Sequence, residues 1–275
     1  MRAIHVHSFS PFFARHGTKA KPKADRFDLY CTVISALNWR KYNGEIHLVC
    51  DKAAAEYYDE TGISDIWDKI RIIIPDDLEG INPIIFWAAA KLLALREVCA
   101  PAVILDTDFI VWKMLKFGDS IIAAHREDLN PDVYPGVNYF QMEPLYKFMP
   151  FDYTVQPLNT AFLYLPDESF KQFYVSMAID FMKSAMNVSD NLCYMVYAEQ
   201  RLLAMCAERL KMPVETLLDK DKLFESQNDF THLWGEKQKM RNNPEAEQSF
   251  NNRCAARIRR DFPEYEHMIN LIEKA

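Results

Sequence analysis

The sequence predicts an α/β protein built on a mostly parallel sheet flanked by helices, with a helical annex at its C-terminal end. Three observations carry this. Across the first 125 residues short apolar runs alternate with longer helical patterns, which implies right-handed βαβ crossovers. The runs Ile72-Ile-Ile74 and Val103-Ile-Leu105 are apolar at every position, as a sheet covered by helices on both faces requires. Beyond the middle of the chain helical periodicity dominates.

Ala3 to His7 reads as a strand. Asp25 to Tyr42 places Leu29, Val33, Ala36 and Leu37 on one helical face, with Asp25 as a cap. Glu45 to Cys50 is a strand, and Ala53 to Thr61 a helix ended by Gly62. Lys69 to Ile74 is a strand stopped by Pro75. A helix over Ile84 to Val98 precedes the strand Ala102 to Leu105. Ser120 to Ala124 and Asn159 to Leu165 are strand-like. The segment between them is rich in Pro, Tyr and Asn, a long connection of the kind that often carries function. Helices follow over Glu168 to Lys183 and Asn191 to Lys211. Then come a short strand at Val214 to Leu218, a loop through Phe230 to Gly235, and two helices after Pro244 and Pro263. No composition shift marks a linker, so residues 1–275 read as one domain.

Composition narrows the function. At 49% apolar and 26% charged residues over 275 positions the chain is an ordinary globular protein. Its net charge of −7 argues against a nucleic-acid partner. Glycine is scarce: seven residues, no two within ten positions of each other. A Rossmann or Walker phosphate loop needs clustered glycines. A phosphorylated ligand must therefore be met by charge, metal or side chains. The six cysteines form no C-x-x-C pair. The start, Met1-Arg-Ala-Ile-His-Val-His, lacks the apolar core of a signal peptide. No apolar run approaches the ~18 residues of a membrane span. These features predict a cytoplasmic protein with reduced thiols.

The sharpest chemical signal is Ala102-Val-Ile-Leu-Asp106-Thr-Asp108. An apolar strand runs into carboxylates at i and i+2, which strand alternation points to one side. Ligands of open α/β sheets gather at the carboxyl ends of strands. Clustered carboxylates are costly without a cation between them, and Mg²⁺ or Mn²⁺ takes oxygen ligands and shares them with phosphate. The plain alternative is two solvated loop aspartates.

This pattern resembles the D-x-D motif of GT-A-fold nucleotide-sugar glycosyltransferases. Three further segments are similar to the retaining branch that contains glycogenin and the bacterial lipopolysaccharide galactosyltransferases. Pro157-Leu-Asn159-Thr-Ala-Phe-Leu resembles the branch's Asn-Ala-Gly strand, whose Asn faces the donor sugar. Ala198-Glu199-Gln200-Arg resembles its Asp-Gln pair beside the reacting carbon. Thr231-His232-Leu-Trp-Gly235-Glu-Lys237 resembles its His-x-x-Gly-x-x-Lys segment, where His completes the metal shell and Lys meets the diphosphate. The order along the chain agrees. Ala161 stands where the branch has Gly, Glu199 where it has Asp, and Lys237 follows Gly235 one residue early.

The resemblance implies a GT-A-like, metal-dependent hexosyltransferase of polysaccharide biosynthesis. It would move a sugar, with retention, from a nucleoside diphosphate donor such as a UDP-sugar to a glycan or lipid-linked acceptor. Residues up to about 125 would form the nucleotide-binding half and residues from about 126 the acceptor half. Asp106, Asp108 and His232 would hold Mn²⁺ or Mg²⁺. Lys91, Asp106, Thr107, Asn159, Gly235 and Lys237 would contact the donor, and Gln200 with Glu199 would lie at the reaction centre. His7 and Ser8, at the end of the first strand, are added as contacts to the base.

Each residue also has a plainer reading. His232 beside Trp234 suits Mn²⁺ or is a turn histidine. Gly235 permits close approach of backbone to a diphosphate or is a turn glycine. Lys237 is a compact cation in a lysine-rich run that could be solvated. Lys91 sits among Phe86-Trp-Ala-Ala-Ala and Leu-Leu, so its charge needs a partner or a path to solvent. Glu199 and Gln200 could be the polar face of their helix, and Asn159 could serve a structural hydrogen bond. Arg253, Arg257 and Arg260 share one helix face; the choices are a solvated face or a patch for a phosphorylated acceptor or for anionic lipid at the inner face of a membrane. Two rival functions stand beside the transferase. One is a sugar-nucleotide-binding protein without turnover, kept open by Ala161 and Glu199. The other is a D-x-D phosphatase, disfavoured by the motif's mid-chain position and by Ile110.

Overall fold

The computed structural model of the chain describes residues 1–223, 227–233 and 235–274. In chain order the elements are β1 (Ala3–His7), α1 (Ser10–His16), α2 (Arg26–Tyr42), β2 (Ile46–Cys50), α3 (Lys52–Thr61), β3 (Lys69–Ile72), α4 (Ala89–Glu97), β4 (Ala102–Leu105), β5 (Phe109–Val111), β6 (Ile121–Ala123), β7 (Phe162–Leu165) and α5 (Glu168–Ser184). They continue as α6 (Leu192–Val196), a π-helical turn (Tyr197–Arg201), α7 (Leu202–Arg209), β8 (Val214–Thr216), β9 (Phe230–His232), α8 (Glu236–Arg241), α9 (Pro244–Asp261) and α10 (His267–Lys274).

Seven strands form one sheet in the order β3-β2-β1-β4-β7-β6-β8. Every pairing in it is parallel except the two made by β7. A separate antiparallel ribbon joins β5 to β9. The expected α/β architecture, a mostly parallel sheet flanked by helices with a C-terminal helical annex, is the one observed.

The continuous apolar runs work as parallel strands should. In β4, Ala102 and Ile104 enter the core beneath α4, α5 and α7, while Val103 and Leu105 enter the core shared with α2, α9 and α10. In β7, Leu163 and Leu165 face the first core and Phe162 and Tyr164 the second. Each strand thus glues two helical layers, the reason for its lack of polar alternation. Across the second core Trp39 of α2, fully buried, approaches Phe162.

The sequence reading needs several corrections. The run Ile72-Ile-Ile74 does not lie between two helical layers. β3 is the sheet's edge, it ends at Ile72, and Ile72 is 57% exposed. An apolar triplet before Pro75 looks like a central strand only when the edge cannot be seen. The helix expected from Ile84 starts at Ala89, after a turn in which Asn82 Oδ1 accepts from the Ile84 amide. Asp25 sits at the N-cap of α2 without capping it; its carboxylate pairs with Arg241 instead. Asp51 does cap α3, accepting from the Ala54 amide. The helix expected over Asn191 to Lys211 is interrupted by the π-helical turn. The short elements α1, β5, β9 and α8 were not anticipated, since three strand residues or two helical turns leave almost no periodic signal.

Gly62 ends α3 with φ near +75°, and a Cβ there would lie 3.2 Å from Leu271 of α10. Both the left-handed backbone and the packing of α10 ask for glycine. Gly62→Ala is expected to lower stability by about 1–3 kcal/mol, measured by urea unfolding; an unchanged midpoint would contradict this account of the α3–α10 junction.

Candidate active site

Parallel strands deliver their carboxyl ends to one rim, and β7, running the opposite way, delivers its beginning there. A cleft of about 510 Å³ opens at that rim. His7 and Ser8 follow β1 into it; Asp106, Thr107 and Asp108 follow β4; Asn159 and Ala161 lead into β7. Lys91 reaches in from α4, Glu199 and Gln200 from the π-helical turn, His232 from β9, and Gly235 and Lys237 from the start of α8. Every site residue anticipated from the sequence lines this one cleft. Trp234, read beside His232, lies outside the described residues.

The aspartates are not arranged as strand alternation suggested. β4 ends at Leu105, and Asp106 to Phe109 form a turn closed by the Phe109 amide donating to the Asp106 carbonyl, 2.9 Å. The Ala161 carbonyl accepts from the Asp106 amide at 2.8 Å, and the Asp108 carbonyl accepts from the Leu233 amide. The motif is therefore pinned to β7 on one side and to the chain after β9 on the other.

Each aspartate meets a different lysine. Lys91 Nζ stands 2.8 Å from Asp106 Oδ1 and 2.5 Å from Glu199 Oε1, and donates to the Thr160 carbonyl. Lys237 Nζ stands 2.9 Å from Asp28 Oδ1 and 3.1 Å from Asp108 Oδ2. The partner that Lys91 needed is thus a carboxylate pair rather than solvent. These four carboxylates and two ammonium groups leave two excess negative charges when all are ionised.

Burial acts most visibly on Asp106. Its carboxyl is pushed up to about 6, by burial first and by the charges of Asp108 and Glu199, with Lys91 pulling the other way. For Asp108 burial acts upward, but Lys237 and His232 outweigh it and hold the carboxyl below its ordinary value. Burial would lower both lysines, yet their carboxylate partners keep them above the usual lysine range. Burial lowers His232 to about 4, so its ring is neutral at pH 7, and Nδ1 is buried with no hydrogen-bond partner among the described residues. His7 is likewise lowered to about 4 by burial, and its Nδ1 lies 2.6 Å from the Tyr58 hydroxyl.

Residue types here suit a hard dication: carboxylate oxygens in excess, a strained Asp106 charge and a neutral imidazole nitrogen left over. Among the described residues, however, no three His, Cys, Asp or Glu side chains are drawn together as a metal-holding group. In the arrangement seen, lysines occupy the carboxylates.

The π-helical turn explains how Glu199 and Gln200 reach the cleft. A wider turn breaks the regular i to i−4 ladder and leaves carbonyls to find other donors. The Glu199 carbonyl accepts from the Tyr174 hydroxyl at 2.6 Å, and the Gln200 carbonyl from the Leu158 amide at 3.3 Å. The Tyr134 hydroxyl, from the long connection between β6 and β7, donates to Gln200 Oε1 at 2.6 Å. Gln200, which lines the cleft, is thus held through its side-chain oxygen. Asn159 lines the cleft, but its amide is used internally: Nδ2 donates to Glu127 and Oδ1 accepts from the Ala161 amide. Gly235 has φ near +76° and open space where a Cβ would be.

Several participants escaped the sequence. Asp28 was not singled out, because its pairing with Lys237 depends on α8, a helix not foreseen. Tyr134 and Glu127 lie in an aperiodic connection, and only long-range contacts identify them. Trp87, at the cleft and 44% exposed, stood in a run read as buried helix. The C-terminal arginines are largely engaged locally. Arg257 stacks over Trp112 at 4.4 Å, Arg260 pairs with Asp261, and Arg253 hydrogen-bonds Ser249.

Lys91→Met removes the one attraction that lowers Asp106, so the Asp106 midpoint should rise further above about 6. The variant should lose about 2–3 kcal/mol at pH 7, less than a fully buried pair because solvent reaches part of Asp106. A carboxyl raised on folding favours the folded state at low pH and disfavours it as pH rises through its folded value. The loss should therefore shrink near pH 5. Carboxyl NMR titration and urea unfolding at the two pH values check this; an unmoved Asp106 midpoint would contradict the pairing.

Comparison with known proteins follows from the whole chain. Among solved structures, PaToxG glycosyltransferase aligns with TM-score 0.42 and 10% identity, over 82% of this chain and 71% of that one. The galactosyltransferase LgtC, in complex with donor and acceptor sugar analogs, aligns with TM-score 0.41 and 13% identity, over 78% and 73%. Mouse xyloside xylosyltransferase 1 in its apo form aligns with TM-score 0.38 and 13% identity, over 79% and 85%. These likenesses are remote and assign no role to any residue. No curated protein matches the sequence. The sequence profile of DUF6734, a family of unknown function, matches residues 22–272, and the chain belongs to that family.

Proposed function

We propose that the cleft binds a nucleoside diphosphate sugar, a UDP-sugar in the first instance, and transfers its sugar to a glycan or lipid-linked acceptor. The observation that carries this reading is the convergence of dispersed segments on one rim. The D-x-D turn, the Asn159 strand, Glu199-Gln200 and His232 to Lys237 all line a cleft within the range of small-ligand sites.

In this reading His7 and Ser8 border the nucleoside end of the cleft. Lys237 supplies the positive charge for the diphosphate. Asp106, Asp108 and His232 would hold Mn²⁺ or Mg²⁺, which when bound neutralises the leaving diphosphate. Carboxylates in the cleft and a buried His232 nitrogen with no hydrogen-bond partner among the described residues support that assignment. Lys91 sits between Asp106 and Glu199 and offsets their charges in a buried place. Gln200, its oxygen engaged by Tyr134, presents N–H donors and is suited to hold a sugar or acceptor hydroxyl rather than to take its proton. Retention by front-face attack, the course that the resemblance implies, needs no strong enzymatic base. The anomeric carbon–oxygen bond to the diphosphate breaks, the acceptor oxygen bonds to that carbon, and the acceptor proton passes to the departing phosphate.

Incubation with a panel of nucleotide sugars and Mn²⁺ tests the activity by release of free UDP. Binding without release would favour the sugar-nucleotide-binding alternative, and neither would defeat both. Asp108→Ala should weaken Mn²⁺-dependent UDP binding by about 100-fold or more, as loss of a ligand exceeds loss of a supporting contact. Calorimetry showing unchanged affinity would overturn the placement of the diphosphate at the D-x-D turn.

A further inference from the structure

Lys237 has two partners of different standing. Asp28 belongs to α2, and the hold of α2 on α8 extends beyond this pair. Arg241, one turn further along α8, stands 2.8 Å from Asp25 and 3.5 Å from Asp28. Leu233 and Met240 pack with Phe27 and Cys31 in a small buried cluster. α8 is therefore fastened to α2 by contacts that do not involve Asp108. Asp108 is the detachable partner, and it is also a residue assigned to a dication. An ammonium and a dication on one carboxylate repel each other, strongly so in a partly desolvated cleft.

We infer that Lys237 is an exchangeable counter-ion tethered by Asp28. In the free protein its ammonium neutralises Asp108. When a divalent cation and a nucleoside diphosphate enter, the ammonium leaves Asp108 for the diphosphate while Asp28 retains it. Asp28 is thereby a positioning residue of the site. The inference rests on the reading of the cleft as a nucleoside diphosphate site, and it adds a consequence. Lys237 opposes cation binding in the absence of nucleotide and supports nucleotide binding in the presence of the cation, so the two ligands enter as coupled partners.

Mn²⁺ binding followed by electron paramagnetic resonance, and UDP binding by calorimetry with Mn²⁺ present, test this on the full chain. Lys237→Met should bind Mn²⁺ alone about tenfold more tightly and UDP with Mn²⁺ about tenfold more weakly, within the usual span of couplings. Asp28→Asn confines the ammonium to Asp108, so it should weaken Mn²⁺ alone as well as UDP. A merely structural role for Lys237 would move both affinities of Lys237→Met the same way or not at all, and that result overturns the exchange. Lys237→Gln repeats the measurement if Lys237→Met fails to give the cooperative thermal unfolding of the unaltered chain. If the unaltered protein binds UDP with Mn²⁺ but the opposite signs are missing, the exchange alone fails. If it binds neither, the diphosphate reading fails and the exchange with it.

Discussion

Three carboxylates in one cleft and a fourth, Asp28, on the helix behind it need cations between them, and this constraint organises the cleft. Burial makes each charge expensive, and proximity makes each carboxylate oppose its neighbours. Two lysines from separate helices relieve most of it, Lys91 between Asp106 and Glu199 and Lys237 between Asp28 and Asp108. The Asp106 carboxyl nevertheless stays raised, by its burial first and then by the charges of Asp108 and Glu199. The His232 imidazole beside them is neutral at pH 7, held there by burial.

The fold supplies the places that make this possible. A parallel sheet sends β1 and β4 to the same edge, and the reversed β7 brings Asn159 to Ala161 there from the other direction. The D-x-D turn hangs between β7 and the β5–β9 ribbon by backbone hydrogen bonds, so its position does not depend on its own side chains. Those side chains are left to pair with Lys91 and Lys237. The π-helical turn serves the opposite helix in a similar way: it frees carbonyls for Tyr174 and Leu158 and points Glu199 at Lys91.

Much of this was legible in the sequence, for identifiable reasons. The βα alternation and the apolar run into Asp106 are local signals that burial on both faces of a sheet produces directly. The same logic failed for Ile72, because an edge and a centre can carry the same three residues. Residue spacing singled out Asp106 and Asp108, and the resemblance singled out Glu199, Gln200, His232 and Lys237; strand alternation misjudged the two aspartates, which a turn rather than a strand carries. Asp28, Tyr134 and Glu127 were out of reach. Their roles come from contacts between elements far apart in sequence, made through short helices and an aperiodic connection that leave no periodic trace.

The most direct test of the account is a crystal structure of the chain with UDP and Mn²⁺. The account predicts the diphosphate within hydrogen-bonding distance of Lys237, with Mn²⁺ between it and the side chains of Asp106, Asp108 and His232. Nucleotide bound elsewhere on the surface, with both lysines still seated on their carboxylates, would contradict it.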